Sequence, residues 1–199
     1  MTEDGASPED GLTEDERVGH YIEMWKQATQ VNQHFNEIEW RIRGLGLTVA
    51  TFSIGAAALA AREGSDVWGI SLGALLLLVG LLLWYAFFFV DLAWYHQLLR
   101  ASVQQTELLE AEIKKSLPFA GLAMAITAGS PYKPSGIVRW LSRTDGDMHS
   151  TDKLKWFYAV GAAALAGVAI ALQVYSLTTE PSPEPTNEVV VRVDPDGSP

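Results

Sequence analysis

The chain has no cysteine among its 199 residues, which excludes disulfides, thiolate metal sites and thiol nucleophiles. A basic stripe is also lacking. The formal charge of −10 is carried by the ends: residues 1–16 hold seven acids and no base, and residues 180–199 hold five acids and one base. The body between them, with 13 Lys/Arg against 12 Asp/Glu, is near neutral. Phosphate backbones therefore find no complementary surface, and nucleic acid is not expected as a partner. GSPYKPSG (129–136) has Gly, Lys and Ser without the spacing that cradles phosphate on a helix N-terminus. His20, His34, His96 and His149 include no pair at helical ligand spacing with an acid between them, so neither a metal nor another cofactor is expected. No nucleophile–base set stands out, and the chain is read as non-enzymatic.

What the chain does have is apolar residues gathered in blocks: Gly44–Ala61, Val67–Val90 and a third opening at Trp156 and running to residue 178. A hydrocarbon core of about 30 Å takes about 20 helical residues, so each block suits one crossing of a bilayer. The first 43 residues contain no basic start followed by an apolar core, so no cleavable signal peptide is expected. Lys26, Arg41 and Arg43 precede the first block, Arg62 alone separates the first two, and eight cations from Arg100 to Lys155 lie between the second and third. Because cytoplasmic segments carry the excess of Lys and Arg, this distribution predicts a multi-pass cell-membrane protein. Its N-terminus and long 91–155 segment are inside and its C-terminus is outside. Residues 118–129, PFAGLAMAITAG, offer a fourth apolar run, but 12 residues cover only about 18 Å. Flanked by cations, the run reads as re-entrant, interfacial or packed on other helices within a cytoplasmic segment 118–155, with a fourth span as the alternative.

The ends of the spans continue as helices. Thr13–Glu16 fits a capping box, and Val18, Tyr21, Ile22, Trp25, Phe35, Ile38 and Ile42 recur at helical spacing. One helix is therefore expected over 14–43, running into the first span. Leu92, Tyr95, Leu99, Ser102, Thr106, Leu109 and Ile113 alternate steps of three and four up to Pro118, which predicts a second over 91–117. A turn of about five residues joins the spans, so the two extensions are antiparallel neighbours in a two-helix stalk. Counting outward from the inner surface places Arg41 and Arg43 level with Asp91, and Lys26 near Glu107 and Glu110. Asp91, directly after the longest apolar run, is thus most simply the partner of an arginine at the inner interface, with an ion pathway or catalysis as alternatives. Small residues allow close approach of helices in lipid. Gly69 and Gly73 in the second span, Ser53, Ala57 and Ala61 in the first, and Ala159, Ala163, Gly167 and Ala171 in the third are expected to pack the subunit together or to form an oligomer contact.

With HFNEIEWRIR (34–43) leading into the first span and DLAWYHQLL (91–99) leaving the second, the layout over residues 14–117 resembles small prokaryotic membrane proteins of the SLATT and related two-transmembrane effector type. That resemblance is one of architecture. It implies a membrane-perturbing or pore-forming effector of conflict or anti-phage systems, controlled by a nucleotide-signalling partner. The chain departs from it by adding a third span and by lacking a recognisable sensor domain, so no residue role is carried over. The sequence therefore predicts an all-α integral membrane protein with three spans, a two-helix cytoplasmic stalk and disordered acidic tails at 1–13 and 179–199. It would work by association, as an oligomer or through a cytoplasmic partner on the stalk. A channel or transporter subunit is the alternative.

Overall fold

The computed structural model describes residues 11–136, 138–139 and 146–179, and the acidic tails lie almost wholly outside these. Helix α1 runs unbroken from Glu14 to Glu63, about 75 Å at the usual rise. The capping box starts it: the Glu16 N–H donates to Thr13 Oγ1 (3.3 Å) and the Thr13 N–H donates to Glu16 Oε2 (2.8 Å). Those hydrogen bonds hold the Glu16 carboxyl below its ordinary pKa. Gly64 ends the helix in the left-handed conformation, φ +66°, which costs glycine nothing.

The chain then turns through a feature the sequence did not announce. Val67–Ser71 was expected to open the second span, but β1 (Asp66–Val67) and β2 (Ile70–Ser71) pair antiparallel. Trp68 and Gly69, both at positive φ, form the two-residue turn between them, whose twist matches the strands. Helix α2 (Leu72–Val90) starts only at Leu72, with the Ser71 side chain accepting from the Ala74 N–H at 3.1 Å. A π-helical turn, Asp91–Tyr95, joins α2 to α3 (His96–Ser116) without a break in the helical path. The short helix α4 (Leu122–Gly129) packs beside α3, and α5 (Ser150–Thr178) starts six residues before the expected span.

Three helical stretches are long and apolar enough to cross a membrane: α1, the continuous 72–116 helix and α5. α4, with eight residues, is not among them. It docks on the stalk, which corrects the alternative of a fourth span. α2 packs against α1 on one side and α5 on the other. The core is made of Ala57, Leu77, Trp84, Leu154, Tyr158, Leu165 and Ala169.

Small residues set the α1–α2 approach. A Cβ on Gly73 would lie 2.8 Å from the Ala57 carbonyl oxygen, and one on Gly80 would meet the Ser53 hydroxyl. Buried Glu39, Gly46, Ser53 and Ala60 recur every seven residues, the period that keeps a seam facing its partner as helices coil left-handed. Gly69 and the α5 stripe do not pack the subunit together, the first of the two expectations for them. Gly69 lies in the turn rather than on a helix, and Ala159, Ala163, Gly167 and Ala171 are exposed. α5 instead turns Leu154, Tyr158, Gly161, Leu165 and Ala169 inward, because Trp84 needs the space that Gly161 leaves.

That requirement is testable. A Cβ at Gly161 would run into the Trp84 ring. The ring cannot withdraw easily, since its Nε1–H donates to the Tyr158 carbonyl at 2.9 Å and it packs, tilted, against the Tyr158 ring with centroids 5.1 Å apart. Gly161→Ala is therefore expected to lower stability in detergent by about 1–3 kcal/mol. Gly167→Ala, with nothing within 4 Å, should leave the thermal midpoint near that of the wild type. Equal midpoints for the two variants would remove this account of the α2–α5 contact.

Candidate functional site

The most heavily built polar site lies where the stalk meets the apolar helices. Asp91 is wholly buried there. Its Oδ2 accepts from Arg43 Nε at 2.8 Å and from the Tyr158 hydroxyl at 3.1 Å, and its Oδ1 accepts from Arg43 Nη2 at 3.3 Å. Arg43 also donates to Glu39 Oε2, one turn earlier on α1. The other Glu39 oxygen lies 3.2 Å from His96 Nδ1, and His96 Nε2 lies 3.1 Å from Thr151 Oγ1. A carboxylate only accepts, so Nδ1 carries the proton toward Glu39. The resulting clasp draws on α1, the π turn, α3 and α5.

The guanidinium suits this place because its planar fork serves two carboxylates at once. Burial works against its charge, but the hydrogen bond and charge of Asp91, together with Glu39, outweigh that cost and hold the Arg43 pKa above its ordinary value. Arg41, expected at the same level, is exposed and makes no contact with Asp91.

The π turn explains how His96 joins. Positions five apart in an α-helix point about 140° away from each other. The wider turn from Asp91, whose carbonyl accepts from the His96 N–H, brings both side chains onto the α1 face. It also reconciles two phases of the heptad pattern. Leu77, Trp84 and Asp91 are spaced by seven, and Leu99, Thr106 and Ile113 are spaced by seven but start one residue late. A single π turn absorbs that extra residue. Glu39, Thr151 and Tyr158 were not singled out in the sequence, and His96 was weighed there only as a metal ligand; the one signal for its place here was this offset. His34 is exposed beside Phe35, whereas His96 is held between Glu39 and Thr151.

Farther along the stalk, Asn32 Nδ2 donates to Thr106 Oγ1 at 2.8 Å, and Trp25 Nε1 donates to Glu110 Oε1 at 3.0 Å. Lys26, expected near Glu110, pairs with Glu23 at 2.7 Å on the exposed face. Glu110 is 2% exposed and caps α4: its Oε1 accepts from the Ala123 N–H at 2.8 Å and its Oε2 from the Met124 N–H at 3.1 Å. At the opposite end of the molecule, the Gln173 amide reads the β-hairpin backbone, accepting from the Ser71 N–H (2.9 Å) and donating to the Gly69 carbonyl (3.1 Å).

No family model, curated protein or solved structure matches this chain. The reading of its function therefore rests on geometry. The clasp satisfies its own charges, and among the described residues no group of three metal-ligating side chains gathers anywhere. Its chemistry is that of a fixed joint, in which an ion pair specifies register more than it adds net stability.

Proposed function

We propose that the protein is a non-enzymatic, three-span membrane protein that works by association, presenting a rigid cytoplasmic stalk to other copies of itself or to a soluble partner. The observation that carries this reading is the apolar face of α4 and of the turn before it. Phe119, Leu122 and Ile126 are exposed at 105%, 61% and 64% on a segment that Glu110 holds against the stalk, roughly 28 Å beyond Asp91 by helical rise. Large apolar side chains displayed together in water mark an interaction surface. The distribution of Lys and Arg supports a cytoplasmic stalk and an external hairpin and C-terminus. Trp68, 97% exposed at the tip of that hairpin, suits the outer headgroup level.

Because the chain lacks cysteine, single-cysteine variants test both parts. In intact cells, Ser65→Cys is expected to react with a membrane-impermeant maleimide and Lys114→Cys only after lysis. In membranes, Ile126→Cys should form a disulfide-linked dimer or a discrete adduct with one partner, and adding Phe119→Asp should abolish it. Labelling of Lys114→Cys in intact cells would overturn the orientation. An Ile126→Cys chain that stays monomeric and without adducts would overturn association through α4.

A further inference from the structure

We propose that the groove between α2 and α5 holds one acyl chain of an anionic phospholipid, whose phosphate lies against Lys155; this rests on the membrane reading above. The groove has a volume of about 610 Å³, within the range of built small-ligand sites. Its walls are apolar: Leu78, Leu82, Tyr85 and Phe88 from α2, with Ala159 and Ala162 from α5. The two alanines leave it open where a larger side chain would fill it. From Leu78 to Phe88 it extends about 15 Å by helical rise, half of a hydrocarbon core of about 30 Å. That is the depth of one leaflet.

One end of this slot is apolar and the other is closed by Lys155. The neighbouring cation, Lys153, donates to the Ser130 carbonyl at 2.7 Å. Lys155 has no hydrogen bond or ion pair among the described residues. An unpaired ammonium at the headgroup end of an acyl-length groove complements an anionic lipid better than a zwitterionic one. A second copy of the chain fits less well. Of its carboxylates near that depth, Glu39 and Asp91 are buried and already face Arg43 within their own subunit, so neither is presented to Lys155 of a neighbour.

The test uses the full chain, purified in detergent and equilibrated with an equimolar mixture of phosphatidylglycerol and phosphatidylcholine. Retained lipid is counted by native mass spectrometry. One phosphatidylglycerol per chain is expected, with the preference over phosphatidylcholine falling about fivefold in Lys155→Gln. Ala159→Phe should displace both lipids, and Arg41→Gln should leave the preference intact. Equal losses in Arg41→Gln and Lys155→Gln would mean general surface attraction and overturn the site. Unchanged retention in Ala159→Phe, or an oligomer broken by Ala159→Phe with lipid unaffected, would overturn it as well. Resistance of the chain to carbonate extraction from membranes is scored separately: release indicts the membrane reading, whereas retention without lipid preference indicts the groove alone.

Discussion

Arg43→Met lowers the stability of the solubilised protein by about 3–5 kcal/mol, the loss expected when one partner of a buried ion pair is removed and the other charge stays behind. The size follows from what Arg43 holds. Its guanidinium faces Asp91, which is wholly buried, and Glu39, which is 3% exposed. Without Arg43, Asp91 keeps only the Tyr158 hydroxyl, and Glu39 keeps only His96. Arg43→Lys should recover a minority of the loss, because a single ammonium cannot make the two-sided fork. In Arg43→Met combined with Asp91→Leu one of the two stranded carboxylates is gone while Glu39 stays buried, so part of the stability should return. Thermal unfolding in detergent measures all three. An Arg43→Met protein as stable as the wild type would show that the clasp does not join these helices, and a double variant no better than the single would show that Asp91 is not the group left stranded.

The joint was half legible in the sequence. Asp91 at the end of an apolar run and Arg43 at the start of another are level by simple counting once a short turn makes the helices antiparallel, and the pair follows. The choice between Arg41 and Arg43 was not legible, because two residues are about 200° apart around a helix and the counting fixed height alone. Tyr158 and Thr151 were out of reach for another reason: they come from α5, whose rotation is set by Trp84 fitting over Gly161. The side that the stripe Ala159, Ala163, Gly167 and Ala171 would face was not legible, because small residues permit close approach without requiring it, and the stripe faces out of the subunit. The β-hairpin was hidden inside an apolar block, where hydropathy outweighs the turn signal of a single glycine. The place of His96 in the joint was missed because an α-helical period was carried straight through Asp91–Tyr95, whereas the one-residue offset between the stripes on either side is absorbed there by a π turn.

Glu110→Ala is the second large effect, and it falls on one element more than on the whole fold. Glu110 accepts from the Trp25 indole and from the Ala123 and Met124 N–H groups, so its carboxylate ties α1 and α4 to α3. Hydrogen bonds to a charged group contribute about 1.5–3 kcal/mol each, and the start of a helix favours negative charge. α4 has only eight residues and buries none of them, too short to persist alone in water. Removing Glu110 should therefore release α4 before it unfolds the stalk. Hydrogen exchange is expected to show loss of protection across residues 122–129, while residues 96–106 stay protected by the clasp and by the Asn32–Thr106 contact. Glu110→Gln should fall between, since one carbonyl oxygen still accepts but an amide NH₂ then faces a backbone N–H. Releasing α4 also scatters Phe119, Leu122 and Ile126, so the Ile126→Cys cross-link should weaken in Glu110→Ala although none of the three apolar residues has changed. Full protection of 122–129 in Glu110→Ala would mean that something other than this carboxylate fixes α4, and a cross-link undiminished after α4 is released would separate association from the surface that Glu110 holds in place.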